Sequence, residues 1–477
     1  MTREVGPPSP VDGPANARAQ EIYHEILRRT PEHDFDPTIE RVRRVISLLG
    51  DPQQSFRAIH LTGTNGKTST ARMTERLLRE LGLRTGRFTS PHLSTVRERI
   101  AIDGEPISAA RWVEVWDDVA PYIAMVDAEL EAAGQSRLSF FEVLTSMAYA
   151  AFADAPVDVA VVEVGMGGEW DSTNVVDAEV AVVTPIAMDH ERWLGHDLAS
   201  IATVKSGIIK DGATCVSAAQ APEVTDVLAA AAARHRARLV VEAAFGDAAD
   251  EDAQATPGEI AVLDRRVAVG GQLVTLQGIG GVYEDVFVPL HGAHQAHNAL
   301  LALAAVEAFL GGVPLAADVV ETAFADVTSP GRMELVRTSP AVIVDAAHNP
   351  AGAHAAVEAI EEAFGFSRLV GVVGIMADKD AAGILTELEP VLAEVVITRS
   401  TSLRSMDVEE LAEIARDIFG EDRVRVAEQL PDAVALAAEL AESGDEMPGI
   451  GVGTGVVAFG SVILAAEVRT LFGAAAP

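Results

Sequence analysis

The chain has 477 residues, more than one ordinary core holds, so two or three domains are expected, each able to bury ample apolar surface. Its 36 Lys and Arg stand against 71 Asp and Glu, a formal net charge of −35, and such a field repels polyanions and argues against nucleic acid or an anionic membrane as partner. A single cysteine, Cys215, excludes an intramolecular disulfide and points to a reducing compartment, so a soluble, cytoplasmic protein is expected.

The first stretch, residues 1–20, is rich in Pro, Gly and Ala and has no basic segment followed by an apolar core; a disordered tail is expected there, neither signal peptide nor anchor. A strand from Ala58 to Leu61 then runs through Thr62-Gly63-Thr64-Asn65-Gly66 into Lys67-Thr68-Ser69, after which Met73, Leu77, Leu78 and Leu81 recur at helical spacing. This order of strand, glycine-rich turn, lysine, hydroxyl and helix reads as a phosphate cradle. Backbone N–H groups at the helix start face phosphate oxygens, Lys67 adds a cation, and the Thr68 hydroxyl can ligate Mg²⁺. ATP is the expected occupant; the bland alternative is a tight turn capped by Thr62 or Thr64.

Further along, Thr89-Ser90-Pro91-His92 holds a Ser-Pro turn starter, and Ser139-Phe140-Phe141-Glu142 opens an apolar helix. The apolar run Val157 to Val164 carries Glu163 into the turn Gly165-Met166-Gly167-Gly168, with Asp171, Thr173 and Asn174 following. A carboxylate at the end of a buried strand needs a partner, either a bound Mg²⁺ or the N–H donors of the glycine turn. Strand Val180 to Thr184 leads to Asp189 and His190, and Lys205 follows on a helix; neither His190 nor Lys205 is specific in isolation. Gly246 to Pro257 is acidic and polar and Val267 to Gln277 alternates, so a small β-rich insertion is expected.

His291 to Asn298 opens an alanine-rich helix, and Ser-Pro-Gly within Asp326 to Gly331 marks the linker, dividing the chain into units at 21–328 and 329–477. Beyond Arg332, candidate strands lie at Ala341 to Val344, Leu369 to Val373 and Val395 to Thr398. Asn349 and Pro350 read as N-cap and first turn of a helix, which leaves Asp345 and His348 unexplained. Alternating strands and helices define an α/β fold with parallel sheets covered on both faces, the motifs lying at strand carboxyl ends where such sheets bind ligands.

The string Gly63-Thr64-Asn65-Gly66-Lys67-Thr68 resembles the ATP-dependent amide ligases of the Mur ligase superfamily, and with Thr62 in front it is similar to the folylpolyglutamate synthase and dihydrofolate synthase family. Glu163 to Asp171 resembles that family's second signature, and the likeness runs from about Pro37 to Leu471. It implies an N-terminal P-loop-type domain and a smaller, Rossmann-like C-terminal domain that together add L-glutamate to dihydropteroate or reduced folates; a monomer is expected. ATP would activate the acid as an acyl phosphate, and the enzyme would be bifunctional. Two Mg²⁺ sites are implied, with Thr68, Ser90, Glu163 and His190 as ligands and Lys205 carbamylated in support, although Val204 stands where the family commonly has an acidic residue.

By the same resemblance Gly63 to Ser69, Gln295, Asn298, Arg332, Asp345 and His348 bind nucleotide, Arg332 reaching the terminal phosphates from the second domain; Lys67, Lys205, His190 and Arg332 are the catalytic set. Thr89, Pro91 and His92 belong to a loop beside the pterin-bearing substrate, and Phe140 and Phe141 either present apolar surface to the ring or belong to the core. The rival readings are a Mur-type ligase acting on a cell-wall nucleotide and a non-catalytic nucleotide switch.

Overall fold

A computed structural model of the chain describes residues 12–31, 37–243, 260–443 and 453–474. The first sheet is built from β1 Arg57–Thr62, β2 Thr85–Phe88, β3 Ile100–Ile102, β4 Glu105–Pro106, β5 Val159–Glu163, β6 Val180–Val183, β7 Thr214–Ser217 and β8 Arg238–Val241. Their spatial order is β4-β3-β2-β5-β1-β6-β7-β8, parallel except for the β3 and β4 edge. β1 is therefore central, buried on both faces, which is why it reads as a continuous apolar run rather than an alternating one. One face packs Ile59 and Leu61 against helices Lys67–Glu80 and Ala293–Phe309; the other packs Ala58 and Val162 against helices Ala109–Ala132 and Phe140–Asp154.

The expected β-rich insertion is an antiparallel sheet of β9 Ala261–Ala268, β10 Gly271–Gln277 and β11 Val282–Val288, whose inner residues Val274, Leu276 and Val286 join the first core. The acidic stretch from Gly246 to Pro257 lies outside the described residues. The last helix of the first unit is Ala317–Ala325, and the chain enters a second sheet at Glu334. That sheet holds β12 Glu334–Thr338, β13 Ala341–Val344, β14 Phe366–Val373, β15 Glu394–Ile397, β16 Val424–Val426 and β17 Gly453–Phe459. The order is β12-β13-β17-β14-β15-β16, parallel except at β12, with one core on each face.

The tail expectation needs correction. Residues 12–20 belong to a helix, Asp12–Leu27, in which Ala19, Ile22 and Ile26 recur on one face and are buried against helix Ala109–Ala132. The stripe straddles the assumed boundary at residue 20, so the Pro and Gly content of the first residues outweighed it in the reading by composition. Among the described residues no helix is long and apolar enough to cross a membrane.

Candidate active site

The phosphate-type turn follows directly from the topology. β1 ends at Thr62, whose hydroxyl donates to the Gly167 carbonyl at 2.7 Å, and the chain turns through Gly63 at φ +143°. A Cβ at Gly63 would lie 1.9 Å from Thr184 Oγ1, so glycine is required there by space as well as by angle. Gly66, at φ +89°, precedes helix Lys67–Glu80, whose free N-terminal N–H groups open into a cleft of about 590 Å³ between the two units. Thr64 is tied to Ala187 O at 3.0 Å and Ser69 Oγ lies 2.8 Å from Ser329 Oγ in the linker. Lys67 folds back, donating to Gly63 O and Thr64 O at 3.0 Å each.

Parallel pairing sets Glu163 of β5 beside Leu61 of β1, two residues short of the turn. Its carboxylate is 1% exposed and accepts from Thr68 Oγ1 at 3.0 and 2.9 Å, with the Ser90 N–H farther off at 3.4 Å. Burial pushes its pKa up, while Lys67 and the Thr68 hydroxyl oppose the rise. The Thr68 hydroxyl and, farther off, the Ser90 backbone N–H thus point at the Glu163 carboxylate. Among the described residues no three His, Cys, Asp or Glu side chains cluster to hold a metal, so a cation here would draw on the Thr68 hydroxyl as well as on Glu163.

Lys205 and His190 line the same cleft with different neighbours. Lys205 Nζ donates to Gly63 O at 2.8 Å, the carbonyl that Lys67 also uses, and burial with the charge of Lys67 lowers its pKa to about 7. His190, at φ +53°, sits with Nε2 3.8 Å from Asp189 Oδ2; burial and the charge of Lys379 lower its pKa to about 3, leaving a neutral imidazole. Asp171, just beyond the glycine turn, accepts from Met166 N at 3.0 Å and Thr173 N at 2.9 Å and holds that turn in shape.

On the far side of the phosphate helix, Gln295 and Asn298 are buried and joined at 3.1 Å, and Thr70 Oγ1 donates to Asn298 Oδ1 at 3.3 Å. His297, next to them, pairs with Glu242 rather than with His294. The second unit faces them with Arg332, Asp345 and His348. Asp345 accepts from Met333 N at 2.9 Å and Ala347 N at 2.8 Å, shaping the loop after β13, and Asn349 caps helix Pro350–Ala363 as expected from its sequence. Asp189 and Lys379, which have no role in the sequence reading, also line the cleft and form an ion pair at 2.6 Å between the units. The signal was adjacency, Asp189 preceding His190 and Lys379 sitting in a glycine-led loop after β14.

The residues expected around the pterin divide. Pro91 and Phe141 line the cleft. Thr89, His92 and Phe140 lie behind its wall: the Thr89 N–H bonds Arg99 O at 3.1 Å, His92 Nδ1 accepts from Arg99 Nε at 3.0 Å with Tyr23 OH at 3.4 Å from Nε2, and Phe140 packs under the Arg99 guanidinium. They brace the Ser90 loop against the first helix.

Comparison with known proteins agrees with this layout. Residues 61–306 match the Mur ligase middle domain and residues 331–447 the Mur ligase, glutamate ligase domain. The chain is 49% identical to a dihydrofolate synthase/folylpolyglutamate synthase of Mycobacterium tuberculosis, over 95% of this chain and 93% of the relative. A folylpolyglutamate synthase of Lacticaseibacillus casei is 32% identical over 94% of this chain and 96% of its own length. Among solved structures, the Mycobacterium tuberculosis folylpolyglutamate synthase complexed with ADP superposes with a TM-score of 0.90 at 48% identity, covering 97% of this chain and all of that one. An FPGS–AMPPCP–folate complex gives 0.76 at 30% identity, covering 95% of this chain and 98% of its own. The chain therefore belongs to the dihydrofolate synthase/folylpolyglutamate synthase family of Mur ligases.

Proposed function

We propose that this protein is an ATP-dependent carboxylate–amine ligase that joins L-glutamate to dihydropteroate and extends reduced folates by further glutamates. The observation that carries the reading is one cleft in which the Lys67 turn and buried Glu163 of the first unit face Arg332 and Lys379 of the second. Relatives named for both activities, and one solved with AMPPCP and folate, support the choice of substrates.

A carboxylate oxygen of the folate-type acid attacks the γ-phosphorus, the β–γ bridge breaks, and ADP leaves an acyl phosphate. The glutamate amine attacks the acyl carbon, phosphate departs, and the amine proton is released. Catalysis is mostly positioning and charge neutralisation. The N–H groups at the start of helix Lys67–Glu80 bind phosphate oxygens, Lys67 exchanges its two carbonyl partners for phosphate, and Arg332 meets the terminal phosphate from the other side. Glu163 fits a divalent cation: it is a hard oxygen donor, nearly fully buried, with the Thr68 hydroxyl alongside. When bound, Mg²⁺ supplies positive charge against the migrating phosphate charge. Lys205 suits carbamylation because burial favours its neutral amine, the form that adds CO₂. A cytoplasmic location fits the single cysteine, which is buried.

The test supplies the protein with ATP, glutamate and one acceptor at a time: dihydropteroate, a reduced folate or a UDP-muramoyl acid. Phosphate release matched by a glutamyl mass increment on both pterin acceptors is expected. Consumption of the UDP-muramoyl acid alone, or phosphate release with every acceptor unchanged, would refute the proposal.

A further inference from the structure

Asp189 lies in the loop after β6 and Lys379 in the loop after β14, one from each unit, and both side chains are only 8% exposed where they meet at 2.6 Å. The same carboxylate receives Asn349 Nδ2 at 3.3 Å and faces His348 Nε2 at 3.6 Å, both from the loop after β13. Asn349 also exchanges a reciprocal pair of hydrogen bonds, 3.0 Å each, with Asn65 in the phosphate turn. Asp189 is thus a common acceptor for two separate loops of the second unit, fixed next to the turn that would hold phosphate.

We propose that the Asp189–Lys379 pair is a register pin: positioning residues that set how the second unit closes over the phosphate turn, rather than groups acting on substrate. The assignment rests on the ligase reading above. A buried ion pair adds little net stability, because desolvating both charges offsets their attraction, but it strongly penalises misalignment: a small offset leaves a buried charge without its partner. An apolar patch of the same area would tolerate sliding. With the pair engaged, His348 and Asn349 can occupy one position over Asn65, and Arg332, which precedes β12 in the same sheet, is brought into line with Lys67.

The test uses the full chain as Asp189→Asn, Lys379→Met and the double variant. Each single change is expected to lower kcat by about 10- to 100-fold, the range typical of coupled neighbours in one network, while KM for ATP moves less than about threefold. The double variant is expected to be no slower than the worse single one. Multiplying losses would overturn the proposal, since Lys379 would then act on substrate independently of Asp189.

A second readout does not require turnover. Nitroxide pairs at the exposed positions Asp226→Cys and Asp417→Cys, with Cys215 buried and unlabelled, report the distance between units. A broadened distance distribution in both single variants is expected; an unchanged one would overturn the pin even if activity fell. Absence of ligase activity in the wild type would refute the function while leaving this distance measurement to decide the pin. If Asp189→Asn does not fold, Lys379→Met alone carries both readouts.

Discussion

Two amine groups, Lys67 and Lys205, donate to the single carbonyl of Gly63. At such a site the less exposed amine gives up its proton most readily, and Lys205, 4% exposed, has its pKa lowered to about 7 by burial and by Lys67. This predicts pH-dependent carbamylation. Carbamate forms from the neutral amine, so ¹³CO₂ incorporation should be strong at pH 8 and disappear as the pH falls through about 7 and the amine protonates. An ordinary lysine at pH 8 would be neutral in only about one molecule in 300. ¹³C NMR of the wild type against Lys205→Ala checks this; a signal that persists in the variant, or is absent at pH 8 in the wild type, contradicts it. Lys205 was named in the sequence by resemblance alone, because the features that make it reactive, burial and the neighbouring Lys67, come from chain segments far apart in sequence.

At the scale of elements, legibility followed locality. The turn from β1 into helix Lys67–Glu80 was readable because its glycines, lysine and hydroxyl are contiguous, and the Asn349-Pro350 helix start was readable for the same reason. The alternating run from Val267 to Gln277 reads as a β-rich insertion without showing where one strand ends; β9 ends at Ala268 and β10 begins at Gly271, a tight turn interrupting a pattern that continues across it. The first helix was missed in part, and its packing makes a stability prediction. Ile22 is fully buried between helices, so Ile22→Ala should destabilise the protein by about 2–5 kcal/mol, seen as a lower urea midpoint with an unchanged slope. A shift under about 0.5 kcal/mol would mean that the helix is not docked in solution.

For the whole molecule, the pairing of Asn65 with Asn349, Ser69 with Ser329 and Asp189 with Lys379 ties two independently cored units around one cleft. A nucleotide held between them should stabilise both together. With a non-hydrolysable ATP analogue at about 100 times its Kd, stabilisation of about 2.7 kcal/mol is expected, moving the entire calorimetric transition upward. If only part of the transition moved, the nucleotide would be contacting one unit alone.

By itself the amino-acid sequence determined the fold class, the phosphate turn, the carboxylate at the end of β5 and the family, because each is encoded in a short run whose spacing carries its own geometry. Only the tertiary structure decided which residues share the cleft. It set Lys205 on the carbonyl used by Lys67, placed His92 and Phe140 behind the wall, and joined Asp189 to Lys379 across the units. The reason is physical: pairing, burial and the pKa shifts they cause depend on distances between remote segments, and those distances exist only once the sheets have formed and the two units have met.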